Sequence, residues 1–224
     1  MTPDLVIFDC DGVLVDSEPL SNRVLVDNLA RHGLTLTLDQ AMGLFVGGTM
    51  AGVGAKARDL GADLPDDWVD RIYAETYARL REGVDPIPGI SALLDRLDAA
   101  GLPYCVASNG SEEKMAITLG ATGLAPRFEG RRYSAHTLGT AKPDPALFQH
   151  AARACGVAPE RCIVVEDSAT GAEAARRANM PCLGYAPTGD GARLSAQGAR
   201  IIRDMAEIAA MLGLPAARVE PAPK

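Results

Sequence analysis

Short, wholly apolar runs that stop at charged or small polar residues recur along this chain, and apolar positions return every three or four residues between them. The first run is Leu5-Val6-Ile7-Phe8, closed by Asp9-Cys10-Asp11. Two more are Pro103-Tyr104-Cys105-Val106-Ala107, closed by Ser108-Asn109-Gly110, and Cys162-Ile163-Val164-Val165, closed by Glu166-Asp167-Ser168. Runs this short and this apolar predict strands buried on both faces of a parallel sheet. Further strands are expected at Arg131–Ser134, Cys182–Tyr185 and Arg200–Ile202, with helices at Ser91–Ala100, Glu112–Leu119, Ala146–Cys155, Gly171–Asn179 and Met205–Leu212. Strands alternating with helices predict an α/β fold, a doubly wound parallel sheet with helices on both faces.

The stretch from Asp16 to Gly83 breaks that rhythm, because it predicts helices and no strand. Leu20–His32 places Leu20, Val24, Asn28 and Leu29 on one face, and Asp39–Gly47 reads as a helix capped by Asp39. Lys56–Leu60 is a short helical piece. Pro65-Asp66-Asp67 starts a longer helix, where Trp68, Ile72, Thr76 and Leu80 recur at four-residue spacing. Prolines at Pro19, Pro86 and Pro88 bracket the stretch as hinges between rigid bodies do. The expected organisation is an α/β core from residues 1–16 and 87–214, an inserted all-helical cap at 17–86, and a tail at 215–224. Trp68 and Tyr73 are expected to pack the cap.

Composition narrows the classes. A chain of 224 residues with 47% hydrophobic and 23% charged residues can bury a sizeable core. Its formal charge of −7 argues against a nucleic acid or an anionic membrane surface as partner. No apolar run approaches the roughly 20 residues of a membrane span. Met1 lies so close to the first strand that no leader is expected, and the protein is read as cytoplasmic. The cysteines (Cys10, Cys105, Cys155, Cys162 and Cys182) lack a Cys-x-x-Cys pair and are read as free thiols, which sets structural zinc aside. His32, His136 and His150 show no ligand-like spacing.

Chemistry gathers at the strand ends, which open into the ligand crevice of such a sheet. Extended backbone would turn Asp9 and Asp11 to one side and Cys10 into the core. Glu166 and Asp167 bring two more acids, Ser108 a hydroxyl, and Lys142-Pro143-Asp144-Pro145 a cation before a helix capped by Asp144. Like charges about 4 Å apart cost roughly 4 kcal/mol per pair at an effective dielectric near 20, so a divalent cation is implied. Carboxylate oxygens select Mg²⁺ over zinc. Metal and lysine facing an aspartate make a site for phosphoryl transfer, since they let two anions approach each other.

These motifs, in this order, resemble those of the haloacid dehalogenase superfamily: Asp9-Cys10-Asp11-Gly12-Val13-Leu14-Val15-Asp16-Ser17, Ser108-Asn109, Lys142-Pro143-Asp144 and Glu166-Asp167-Ser168. A helical insertion between the first two is similar to the subfamily of β-phosphoglucomutase and phosphoglycolate phosphatase. The resemblance implies Asp9 as nucleophile, giving an aspartyl-phosphate, and Asp11 as acid and then base. Ser108, with amides around Asn109 and Gly110, would bind the phosphoryl group, and Lys142 would neutralise it. Mg²⁺ would sit on Asp9, the backbone carbonyl of Asp11, and Asp167, with Glu166 ligating directly or through water.

A second acid at Asp11 speaks against dehalogenation, because halide leaves without a proton. A phosphomutase is the alternative within the family. Against it, Ser21 stands near the position where β-phosphoglucomutase carries a histidine, and Phe45–Met50 has no basic residue. Glu18, Gly48 and Thr49 are candidates for substrate specificity, whereas Lys56 and Arg58 read as a solvated face. A phosphorylatable signalling module and a non-catalytic binding protein are the readings from other classes. The expectation is a Mg²⁺-dependent phosphatase for a small phosphorylated metabolite, acting as a monomer or weak dimer without nucleic-acid or membrane partners.

Overall fold

Leu5–Phe8 forms strand β1, fully buried because its side chains meet apolar partners on both sides. Val6 and Phe8 enter one apolar layer, Leu5 and Ile7 the other. The structure, a computed structural model, describes residues 2–45 and 49–215. Helices α1 (Glu18–Arg31), α2 (Leu38–Phe45), α3 (Met50–Asp59), α4 (Trp68–Glu82) and α5 (Ile90–Ala100) follow β1. Then come β2 (Tyr104–Ser108), α6 (Glu112–Ala121), β3 (Arg132–Ser134), α7 (Ala135–Leu138) and α8 (Ala146–Ala154). The remainder is β4 (Cys162–Glu166), α9 (Ala169–Arg177), β5 (Cys182–Tyr185), α10 (Ala192–Ser195), β6 (Arg200–Ile202) and α11 (Met205–Met211).

The strands form one sheet in the order β3-β2-β1-β4-β5-β6, every pair parallel. This is the expected doubly wound fold. On one face Phe8, Val106 and Val165 pack against Leu94 and Leu97 of α5, Met115 and Leu119 of α6, and Ile208 of α11. On the other, Ile7, Cys105 and Val164 meet Leu147 and Phe148 of α8 and the small Ala172 and Ala175 of α9. Each large side chain so buried contributes about 1.5–3 kcal/mol. The order of strands reverses between β1 and β4, and that reversal opens the crevice at their carboxyl ends.

The chain divides into two compact units, one of Met1–Asp16 with Asp85 onward, the other Ser17–Val84. In the first, Asp16 N donates to Asp85 O at 2.9 Å and Ile87 N to Leu14 O at 3.0 Å, so the chain departs and returns at one place. The second is all-helical among its described residues, as expected. Its core joins Val24 and Leu29 of α1, Val53 and Ala57 of α3, and Trp68 and Ile72 of α4. Trp68 Nε1 donates to Asn28 Oδ1 at 2.7 Å, and Asn28 Nδ2 to Glu75 Oε2 at 2.8 Å, which satisfies a polar group buried among apolar ones.

Three local expectations are corrected. Thr37, not Asp39, caps α2: Thr37 Oγ1 accepts from Gln40 N at 3.2 Å while Gln40 Oε1 accepts from Thr37 N at 2.9 Å. The short piece at Lys56 is the end of α3, which starts at Met50. Gly52 and Gly54 had hidden its periodicity, and Gly54 lies under the Trp68 ring, where a Cβ would stand 3.0 Å from Cε3. Tyr73 is exposed rather than packed in the cap core. Lys56 Nζ donates to Leu44 O in the last turn of α2 at 3.0 Å, and Arg58 to the loop carbonyl of Pro65 at 2.9 Å, so both basic groups are tied to backbone carbonyls. Among the described residues no helix is long and apolar enough to cross a membrane. Gly48 and, Pro215 apart, the expected tail lie outside the described residues.

Candidate active site

Asp9 follows directly on β1, Ser108 ends β2 and Glu166 ends β4, so the three central strands deliver these side chains to the crevice. The strand stops at Phe8, however, and the backbone turns at Gly12 (φ +76°) before Val15 bridges to Asp11. Alternation along a strand therefore does not explain the placement of Asp11. A Cβ on Gly12 would stand 2.0 Å from Asp167 Oδ2, so glycine is needed for both the turn and the neighbouring carboxylate.

Lys142 reaches the centre from the loop before α8. Its Nζ donates to Asp9 Oδ1 at 2.6 Å and to Glu166 Oε1 at 2.5 Å, and it stands 4.9 Å from the centroid of the Phe148 ring. Asn109 Oδ1 accepts from Lys142 N at 2.9 Å and so fixes the lysine loop to the end of β2. Ser108 Oγ accepts from Gly110 N at 3.1 Å, and Ser134 Oγ donates to Gly110 O at 2.7 Å. Glu166 is fully buried, and its Oε2 accepts from both Ser168 N at 2.9 Å and Ser168 Oγ at 2.8 Å. Both its oxygens are thus engaged, which suits a carboxylate that positions its neighbours or reaches a cation through water.

Burial pushes the Asp9 carboxyl up to about 7; Lys142 opposes that rise, and the charges of Glu166 and Asp11 add to it. Burial alone would lower the Lys142 ammonium, yet attraction to Asp9 and then Glu166 leaves it raised. Attraction to Lys142 thus offsets only part of the burial penalty on Asp9, in a site that disfavours charge.

Asp9, Glu166 and Asp167 each present an oxygen within 4.8 Å of the others, a group of metal-ligand type. The carboxylate of Asp11 lies outside that group and pairs instead with Lys114 of α6, its Oδ2 2.9 Å from Nζ. Four acids face two lysines, which leaves a formal charge of −2. Hard oxygens with that residual charge fit a divalent cation such as Mg²⁺. Sequence reasoning missed Lys114, which follows the strand-end motif by one helical turn. Glu18 lies in the first turn of α1, and Thr49 Oγ1 caps α3 by accepting from Gly52 N at 3.1 Å; both belong to the helical unit.

A doubly wound sheet carries a buried carboxylate–lysine pair and an acidic trio of metal-ligand type at its switch point. A model of the haloacid dehalogenase-like hydrolases matches residues 3–179, and the chain belongs to that family. It is 35% identical over 179 residues to 6-phosphogluconate phosphatase of Escherichia coli (strain K12), covering 79% of this chain and 80% of that protein. With hexitol phosphatase A of the same organism it shares 31% over 169 residues, 74% of each. Among solved structures, a HAD family hydrolase from Deinococcus radiodurans R1 with bound phosphate and sodium superposes with a TM-score of 0.80 at 34% identity, covering 95% of this chain and 96% of that one. The expectation of a phosphomonoester-hydrolysing enzyme of this family is met by that match and those relatives.

Proposed function

We propose that the chain is a Mg²⁺-dependent phosphatase that hydrolyses a sugar phosphate, phospho-sugar acid or similar small phosphomonoester through an aspartyl-phosphate on Asp9. The observation that carries the reading is the buried Asp9 carboxylate held 2.6 Å from Lys142 at the end of β1, with a second acid two residues on. Relatives named as a 6-phosphogluconate phosphatase and a hexitol phosphatase support the substrate class. The relative with bound phosphate supports the phosphoryl site.

In the first step an Asp9 oxygen attacks phosphorus, the bond from phosphorus to the alcohol oxygen breaks, and Asp11 gives that oxygen a proton. In the second, Asp11 takes a proton from water, the water oxygen attacks phosphorus, and the bond to Asp9 breaks to release inorganic phosphate. Lys142 orients Asp9 and offsets its charge against the phosphoryl oxygens. The Ser108 hydroxyl accepts from Gly110 N and keeps its own proton to donate to a phosphoryl oxygen, with amides at Asn109 and Gly110 beside it. Asp9, Asp167 and the Asp11 carbonyl would hold Mg²⁺, with Glu166 direct or through water. Bound there, the cation would screen the carboxylate and phosphoryl oxygens from each other. Substrate choice is assigned to the helical unit, where Glu18, Gly48 and Thr49 are the residues to vary.

The test is inorganic phosphate release from a panel of phosphorylated sugars, sugar acids and glycolate with Mg²⁺ present. Release lost in Asp9→Asn and with EDTA is expected. Release that survives either change overturns the reading, and an isomeric sugar phosphate as the main product would make the enzyme a mutase.

A further inference from the structure

Helix α6 touches the loop after β1 twice, at positions four apart on one helix face. Thr118 Oγ1 lies 3.8 Å from Cys10 Sγ, and Lys114 Nζ lies 2.9 Å from Asp11 Oδ2. The backbone of Lys114 is itself pinned, since its N donates to the capping Ser111 Oγ at 3.1 Å and its O accepts from Thr118 Oγ1 at 3.1 Å. Both charged side chains are largely sheltered, at 23% and 21% relative exposure. A Cβ built on Gly110 would stand 3.4 Å from Ser108 Oγ, 3.5 Å from Lys114 Cδ and 3.7 Å from Asp11 Oδ2. The lysine stem and the acid thus close over the loop that carries the candidate phosphoryl-binding hydroxyl. The two lysines divide the acids between them: Lys142 attends Asp9 and Glu166, and Lys114 attends Asp11.

We infer that Lys114 is a positioning residue that holds the Asp11 carboxylate in the orientation needed to exchange a proton with the leaving-group oxygen. The inference rests on the phosphatase reading, in which Asp11 is the acid and then the base. β1 ends at Phe8, which leaves Asp11 outside the sheet's ladder, and Lys114 is the side-chain partner that can fix the direction of its carboxylate. A Lys fixed in the first turns of α6 supplies one, and a carboxylate misplaced by about 1 Å loses on the order of 100-fold in rate.

The test compares kcat and KM of wild type, Lys114→Met and Lys114→Arg on an alkyl sugar phosphate and on p-nitrophenyl phosphate, with melting temperatures measured alongside. Lys114→Met is expected to lower kcat on the alkyl ester by about 10- to 100-fold, with KM within about twofold. The loss of kcat/KM on the aryl ester, which leaves without needing a proton, is expected to be smaller than on the alkyl ester, and Lys114→Arg is expected to recover most of the rate. In an Asp11→Asn background, followed with the aryl ester, Lys114→Met is expected to cost nothing further. Equal losses of kcat/KM on both esters, a rise in KM at unchanged kcat, or additive losses in the double variant would overturn the inference. If wild-type release survives Asp9→Asn, the phosphatase reading falls and takes this inference with it. Release that needs Asp9 but ignores Lys114→Met removes this inference alone.

Discussion

Gly171 and Glu166 occupy space that two side chains cannot share: a Cβ on Gly171 would stand 1.8 Å from Glu166 Oε1 and 1.9 Å from its Cδ. The glycine lies in α9 at an ordinary helical φ, so its role is room rather than backbone freedom. The room lets a fully buried glutamate fold back to Lys142 and Ser168.

The sign of a Gly171→Ala change is therefore decisive. Helix propensity alone would make alanine stabilising by about 1 kcal/mol. Overpacking against Glu166 costs about 1–3 kcal/mol and is expected to win. Urea unfolding should show a net loss of stability, and phosphate release should fall at least about tenfold, or ~1.4 kcal/mol in barrier. A stabilised, fully active variant would show that Glu166 has no fixed place.

Lys142→Met should be among the most destabilising single changes in the core. It leaves Asp9 and Glu166 buried without their common cation, and breaking a buried pair from one side costs about 3–5 kcal/mol. Denaturant unfolding at neutral pH, with Mg²⁺ absent, measures it. A loss below about 1 kcal/mol would place the pair in the class of solvated surface bridges.

The Asp9 carboxyl, raised to about 7, gives a pH signature in metal-free protein. A carboxyl whose folded value lies above its unfolded one favours the folded state at low pH, and that contribution fades as pH rises through about 7. A cation on the same oxygens should relieve the ionised form. The rise in melting temperature on adding Mg²⁺ should therefore grow between pH 5 and pH 8, roughly as Asp9 loses its proton. A shift that is flat or shrinks over that range would put the cation elsewhere.

In the helical unit, Asn28→Ala should cost about 1–3 kcal/mol by leaving the Trp68 indole N–H buried without its acceptor. The chain has a single tryptophan, so its fluorescence reports this unit directly. The variant should shift that signal at lower denaturant; an unchanged midpoint would mean water replaces the amide.

The strand ends were legible because buried parallel strands are short, wholly apolar and closed by the polar residues that face the crevice, as Leu5–Phe8 before Asp9 shows. Trp68, Ile72, Thr76 and Leu80 were equally legible, since their spacing is the helix's own period and all are buried. Lys114 was not. Its partner Asp11 is distant in sequence, and only the packing of α6 against the β1 loop brings them together. Gly171 was invisible for a similar reason, because its constraint is the volume of Glu166 across a turn. Strand alternation predicts Asp11 beside Asp9, whereas the strand ends at Phe8 and a left-handed turn at Gly12 follows.

The covalent step itself is the most direct test. Protein mixed with a ³²P-labelled sugar phosphate and Mg²⁺, quenched in acid within the first turnover and mapped by peptide, should carry label on Asp9. Asp9→Asn and EDTA-treated protein should carry none. Turnover that releases phosphate while Asp9 remains unlabelled at every quench time would contradict the account.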